Sequence, residues 1–238
     1  MVKHSPDRCA ICGTRSNGLI CGLGERVHAR LERDCATHLF RRGQTIFYPG
    51  APAQALYVIR SGRVKIFRTG KGGQEQVLRL HGPGEIIGYR PLLAGEPYVA
   101  SAEAVADSLL CIIPAATLRE LLRDVPELAP RLLAKLAREL RNSEDLMMDL
   151  LHHPVRQRAA RLLLRLLEGD GSDTGSAVLD AEQLRRQDMA RMIGTTPETF
   201  SRVLRGFAQR GIITLTRGRI RVRDQALLRK VAGEQPTA

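Results

Sequence analysis

Glu198, Ser201, Arg202 and Arg205 stand three, four and seven residues along from the first of them, so on a helix they share one face. A carboxylate, a hydroxyl and two guanidinium groups on one face make a set of hydrogen-bonding heads. Arg can grip guanine O6 and N7 with two bonds, a carboxylate can accept from the cytosine amino group, and a Ser hydroxyl with its methylene suits a thymine edge. The same stripe would serve equally as a solvated face, with Glu198 complementing the helix dipole. Spacing alone does not separate the two, and the surrounding residues must.

The second set is sulfur. Cys9, Cys12 and Cys21 are spaced C-x2-C-x8-C in a short, polar, Gly-punctuated segment, and Cys35 and Cys111 follow. A segment that buries little surface of its own invites a metal or cluster as its ordering element. Four thiolates close either a zinc site or an iron–sulfur cluster, and spacing does not choose between them. Unliganded reduced thiols are the bland alternative, and a lone Cys35 or Cys111 behaves as a small buried hydrophobe. Disulfides are disfavoured in a cytosolic chain.

The polar stripe is positioned by two short helices around a tight turn, spanning 185–211. Met189 and Ile193 share a face of the first helix, and Gly194 can leave it with positive φ. Thr196 is placed to cap the second helix and Pro197 to occupy its first position. Phe200, Val203, Leu204 and Phe207 make its apolar stripe. The N-terminal end of such a second helix is the end that enters the major groove in helix-turn-helix proteins. Strands at 212–215 and 219–223 follow, around Arg217-Gly218. They form a wing whose Arg residues would lie on phosphates.

Upstream, 36–114 reads as short β-like runs at 45–48, 55–60, 63–68, 75–80, 85–87, 99–106 and 108–113, broken by Gly and Pro turns. That rhythm predicts an antiparallel sandwich or barrel with Cys111 in its last run. Residues 115–151 read as one helix. Leu133, Leu136, Leu140, Ser143, Met147 and Leu150 alternate steps of three and four on it, a coiled-coil seam that favours pairing of two copies over packing in cis. His152-His153-Pro154 breaks it as a hinge. A helix over 155–168, a flexible loop over 169–176 and a disordered tail over 233–238 complete the expectation.

The chain has 238 residues, 43% hydrophobic, with a net charge of +12. That length suits two domains. Sixteen Lys/Arg against nine Asp/Glu fall between His152 and the C-terminus, a balance that points to a polyanionic partner. No apolar run approaches a membrane span and residues 1–10 lack a signal-peptide core, so the expectation is a soluble cytoplasmic protein with no membrane partner. No nucleophile–base pair or second cofactor motif suggests an enzyme.

These residues resemble the regulators typified by the cyclic-AMP receptor protein and the fumarate and nitrate reduction regulator, the CRP/FNR family. The resemblance covers nearly the whole chain, through Tyr57-Val58-Ile59-Arg60-Ser61-Gly62, Gly82-Pro83-Gly84-Glu85, the long helix and the winged helix-turn-helix. It implies an α+β fold: an antiparallel β-roll of cyclic-nucleotide-binding type, joined by a long dimerisation helix to a C-terminal winged helix-turn-helix. The domains would be a cysteine-rich cluster-binding segment (1–24), β-roll (25–114), dimerisation helix (115–151) and DNA-binding domain (152–238). Duplex DNA, a second copy and RNA polymerase are the expected partners.

The most specific motif is Glu198-Thr199-Phe200-Ser201-Arg202. In the oxygen-sensing branch, Glu-x-x-Ser-Arg reads TTGAT half-sites in a palindrome, whereas the cyclic-AMP branch has glycine at the Ser201 position. With Thr196, Arg205 and Arg217, these make the expected DNA contacts. That branch also carries three N-terminal cysteines and one on a late strand. Here Cys9, Cys12 and Cys21 match the three, and Cys111 in Leu110-Cys111-Ile112-Ile113-Pro114 matches the fourth. The resemblance implies a [4Fe–4S] cluster that favours the DNA-binding dimer and is lost to oxygen, with zinc as the alternative occupant. The eight-residue loop between Cys12 and Cys21 is longer than in the best-known members, and Cys35, without a counterpart, is the substitute ligand should Cys21 not reach. Cyclic-AMP binders carry an Arg-Ser pair for the phosphate. Tyr98-Val99 falls there, after Glu96-Pro97, offering no cation and a repelling carboxylate, so an effector of the roll would be something other than cyclic AMP.

Overall fold

The computed structural model describes residues 19–20, 23–169, 178–180, 185–216 and 219–234. In chain order the elements are α1 (Glu25–Asp34), β1 (Ala36–Phe40), β2 (Thr45–Phe47), β3 (Ala55–Ser61), β4 (Val64–Thr69), β5 (Glu75–His81), β6 (Ile86–Ile87), α2 (Tyr89–Ala94), β7 (Ser101–Ala104) and β8 (Ser108–Pro114). There follow α3 (Ala115–Asp124), α4 (Leu128–His152), α5 (Val155–Gly169), β9 (Val178–Asp180), α6 (Arg186–Met192), α7 (Pro197–Gln209), β10 (Ile213–Thr216), β11 (Arg219–Val222) and α8 (Gln225–Ala232). Contacts divide the chain into two compact units, one drawn from residues up to 68 and from 78–140, the other from 69–77 and from 141 onward. The division falls inside α4, where the expected boundary lay at 152.

The β-roll consists of two antiparallel four-stranded sheets, ordered β1-β8-β3-β6 and β2-β7-β4-β5. Every run expected as a strand is one, with ends shifted by two residues or fewer. β3 and β8 are buried on both faces and carry Leu56, Val58, Ile59, Leu110, Cys111 and Ile113 into the interior. That fits their place in the middle of a sheet. The tight passage from β3 to β4 needs Gly62: its φ is +86°, and a Cβ there would run into Ser108 Oγ and the Asp107 carbonyl. Two apolar clusters make the core. One gathers Leu31 of α1, Leu56, Val58, Cys111, Ile113, Leu118, Leu121, Leu128 and Leu132, together with Leu19 and Ile20. The other gathers Phe47, Ile59, Val64, Ile87, Tyr98, Ala102 and Leu110.

One expectation is corrected. The single helix over 115–151 is two, because Val125 leaves the helical region (φ −122°, ψ 91°) before Pro126. Proline disfavours helical geometry in its predecessor and has no N–H to give the ladder. The six-residue seam is also not uniform. Leu133, Leu140, Met147 and Leu150 are 65, 61, 56 and 41% exposed, and Ser143 is exposed. Leu136, however, is half-buried against the core of its own unit. Glu139 ties α4 to β5 through Arg79 at 2.6 Å and pairs within the helix with Lys135 at 3.1 Å. Leu151, 69% exposed, extends the exposed stripe.

In the second unit α5 to α8 surround a small core of Leu162, Leu163, Met189, Phe200, Leu204, Phe207 and Leu228, and β10-β11-β9 form a three-stranded antiparallel sheet. Asp149, 3% exposed, lies against Arg161 and within 3.7 Å of Arg165 of α5. A carboxylate this buried requires such partners. The 169–176 loop lies outside the described residues apart from Gly169, which still belongs to α5. The tail is described only as far as Glu234, and Gly233 is the left-handed cap of α8.

Candidate nucleic-acid interface and cysteine site

The turn between α6 and α7 follows from its residues. Met189 and Ile193 are each 1% exposed, and Gly194 takes φ +63°. A Cβ on Gly194 would stand 2.9 Å from Leu150 Cδ2. Thr196 then adopts extended geometry, and its side-chain oxygen accepts the Thr199 N–H at 3.2 Å, with Pro197 in the first turn of α7. Burial of Phe200, Leu204 and Phe207 fixes which face is left outside. That face presents Glu198, Arg202 and Arg205 to solvent, with Thr196 exposed at the helix start and Ser201 half-buried between them. Arg202 Nη2 donates to Thr199 Oγ1 at 3.5 Å, which leans the guanidinium toward the N-terminal end of α7. Neither Arg202 nor Arg205 is paired with a carboxylate among the described residues.

Arg217 lies outside the described residues. Beyond it β11 alternates exposed Arg219 and Arg221 with buried Ile220 and Val222, and Arg223 follows, exposed, donating to Thr214 Oγ1 at 3.0 Å. Three guanidinium groups therefore line the outer face of the wing, where the sequence reading singled out Arg217. The signal was present as the period-two Arg-x-Arg-x-Arg pattern over 219–223, which a strand turns into one face.

The cysteine site is partly described. Cys111 sits in β8 between β1 and β3, opposite Thr37 and Val58, and is 4% exposed. Cys35 closes α1, its N–H donating to the Leu31 carbonyl at 3.0 Å. The β1–β8 register places it two residues from Cys111's partner, on the same face. The two thiols stand close enough for each to shift the other's titration. The contact and burial push Cys35 well above the usual thiol range. Cys111 is shifted down by the Cys35 hydrogen bond against its own burial, helped by the nearby Arg60 guanidinium. Cys9, Cys12 and Cys21 lie outside the described residues. Ile20 and Leu23, on either side of Cys21 in sequence, pack against the cluster that contains Cys111 and borders Cys35. Among the described residues no group of three or more His, Cys, Asp or Glu side chains is placed to hold a metal ion. Cys35 and Cys111 are the two free thiols among the described residues.

Elsewhere in the roll, Tyr98 occupies the position expected to face a cyclic-nucleotide phosphate. It is 4% exposed, stacks on Phe47 with ring centroids 3.9 Å apart, and donates from its hydroxyl to the Ala55 carbonyl at 3.3 Å. Burial raises its hydroxyl, with Tyr57 adding to the shift, so it stays a neutral phenol. Val99 beside it is exposed.

A β-roll carrying an exposed, capped recognition helix and an arginine-lined wing defines a DNA-binding regulator. The comparisons agree: residues 37–125 match the cyclic nucleotide-binding domain model and residues 157–231 the Crp-like helix-turn-helix domain model. The cyclic AMP receptor protein of Thermus thermophilus is 42% identical over 196 residues, 82% of this chain and 87% of that one. The transcriptional activator protein anr of Pseudomonas aeruginosa is 29% identical over 82% of this chain and 80% of its own. The structure of FixK2 from Bradyrhizobium japonicum superposes with a TM-score of 0.76 at 25% identity, covering 86% of this chain and 99% of that one. The chain belongs to the CRP/FNR family of transcription regulators, and it is a DNA-binding regulator rather than an enzyme. No helix among the described residues is long and apolar enough to cross a membrane.

Proposed function

We propose that the chain is a cytoplasmic regulator that binds TTGAT-type palindromes as a homodimer and whose DNA affinity is set by a cysteine-held metal centre. The observation that carries the DNA half is the row of exposed Glu198 and Arg202 with half-buried Ser201 between them at the N-terminal end of α7. Its guanidinium suits guanine and its carboxylate suits cytosine. The exposed apolar stripe of α4, Leu133, Leu140, Met147 and Leu151, is the surface on which two copies would pair. Pairing spaces the two recognition helices about 34 Å apart, one turn of the duplex. RNA polymerase is the partner through which an operator-bound dimer would act on transcription.

The motif on α7 is that of the oxygen-sensing branch, and it favours a [4Fe–4S] cluster on Cys9, Cys12, Cys21 and Cys111 as the form of the centre. Ligation would tie the N-terminal segment to β8 beside the start of α3, shift a monomer–dimer balance, and be undone by oxygen. The second reading keeps the DNA half and gives the cysteines a structural zinc or redox-thiol role, with a small effector other than cyclic AMP in the roll. It is supported by the high identity to a receptor named for cyclic AMP, together with the buried Tyr98 where a phosphate would need a cation.

Iron and acid-labile sulfide analysis on anaerobically purified protein, before and after air, tests the first form. Iron and sulfide that disappear in air along with operator binding are the expected result. A colourless protein with one zinc and unchanged binding selects the second form.

A further inference from the structure

Asp149 stands near the end of α4, 3% exposed, and its charge is met by the next helix rather than by water. Arg161 of α5 pairs with it through Nη1, Arg165 Nη2 lies at 3.7 Å and His153 Nε2 at 4.0 Å. Arg161 also reaches in a second direction. Its Nε donates to the Ala232 carbonyl at 2.8 Å, and Gln157, four residues earlier on α5, donates to the same oxygen at 3.0 Å. That carbonyl belongs to the last residue of α8 and has no partner within its own helix. The chain turns away there at Gly233, with φ +76°, where a Cβ would stand 2.4 Å from Gln157 Nε2. One guanidinium thus joins the end of α4 to α5 and to the end of α8.

Only His153 and Pro154 separate α4 from α5. The backbone bonds at this elbow serve one helix each: the His153 N–H continues α4 by donating to the Asp149 carbonyl, and the Pro154 carbonyl opens α5 by accepting from Gln157 and Arg158. None of these bonds fixes the angle between the two helices. Apolar contact across the elbow, such as Leu150 beside Gly194, is non-directional. A buried carboxylate–guanidinium pair whose second arm is anchored has one geometry, and its net stabilisation over an apolar pair is small, so geometry is what it adds. α4 carries the exposed apolar stripe, and α7 lies beyond α5. The elbow angle therefore sets how far apart, and in what phase, two copies paired along α4 would present their recognition helices. One base pair of operator changes that separation by about 3.4 Å and the phase by about 35°.

We propose that Asp149 is a positioning residue for operator recognition: through Arg161 it fixes the angle between α4 and the α5–α8 group, and so selects one spacing between half-sites. This rests on the reading of a dimer paired along α4 that grips a palindrome, and it adds the side chains that set the reach of that dimer. Asp149 and Arg161 touch no DNA. They act through the direction in which α7 is carried.

Gel-shift titrations of the full-length chain at fixed salt, on TTGAT-type palindromes whose spacers differ by single base pairs and on a duplex with one half-site, provide the test. Wild type is expected to prefer one spacer over its neighbours by about tenfold or more. Asp149→Asn keeps the shape and removes the charge, so that preference should fall to about threefold or less. Its affinity for the single half-site should stay within about twofold of wild type, because every DNA-facing side chain is unchanged. Arg161→Met, and the two substitutions combined, should lose the preference to the same extent, since the two side chains act as one pair. Should a lone substitution prevent folding, Asp149→Leu with Arg161→Met replaces the pair by packed apolar side chains while Gln157 still serves the Ala232 carbonyl, and the same loss is expected. Variants whose urea midpoint falls but whose spacing preference matches wild type overturn the inference and leave the dimer reading intact. If wild type shows no preference among spacers, the paired dimer itself is lost, and this inference with it.

Discussion

Arg202 and Arg219 carry the same charge and should fail differently. Arg202 projects from the first turns of α7 beside Glu198 and Ser201, whereas Arg219 lies on the outer face of β11. Arg202→Ala is expected to cost about 1–3 kcal/mol of operator binding and to relax the choice at one guanine. Arg219→Ala should weaken all sequences alike and lower the salt slope by about 1. Binding to a set of single-base operator variants at several salt concentrations separates the two, and a uniform loss for Arg202→Ala would remove it from the reading set. A third residue sets an acid limit. Glu85 accepts from the Gly82 N–H at 2.7 Å and sits 3.1 Å from His81 Nδ1. Burial raises its carboxyl, but the His81 contact and the Gly82 bond outweigh it and hold the pKa at about 2. A carboxylate depressed on folding adds stability above its unfolded value near 4.5 and loses it as pH falls toward 2. Its side chain is 44% exposed, so water screens part of the effect. Urea midpoints measured between pH 6 and pH 2 should fall less steeply for Glu85→Gln than for wild type.

At the level of elements, α4 makes the sharpest distinction, since one helix has a face that serves its own core and a face that is largely exposed. Leu140→Glu lies on the exposed face and should change the stability of a single chain by no more than about 0.5 kcal/mol, yet abolish pairing. Leu132→Ala, at a 4% exposed position, should cost about 2–5 kcal/mol. Sedimentation and urea titration on the two variants check both halves of the contrast. α7 was fully legible in sequence because its signals are local: a cap, a proline at the first position and a stripe at helical spacing. β1 was not, since four of its five residues are exposed and no apolar alternation marks it. α1 escaped because only Val27 and Leu31 of its ten residues are buried in an otherwise charged run. The break at Val125-Pro126 escapes a reading built on the apolar seam, which begins only at Leu133. The meeting of Cys35 with Cys111 depends on the pairing of β1 with a strand more than seventy residues later, and long-range register is written in no local pattern.

For the whole molecule, the net charge of +12 supplies attraction to any duplex, with each phosphate contact adding about 0.9 to the salt slope. Charge therefore sets how tightly DNA is held, and geometry must set where. A dimer joined along α4, as proposed, would fix the distance between two recognition helices, and the operator would have to match it in both length and rotational phase. Inserting five base pairs between the half-sites turns one of them by about half a helical turn, to the far side of the duplex. The affinity should then fall to that of a single half-site, and Leu140→Glu should bind the native and the lengthened operators equally. Gel-shift titrations of both proteins on both operators at fixed salt measure this. Equal wild-type affinity for the two spacings would mean that the copies reach DNA independently, and the exposed face of α4 would then need another partner. A clear preference in wild type that vanishes in Leu140→Glu ties rotational phase to that one helix face, because the substitution leaves every DNA-contacting side chain in place.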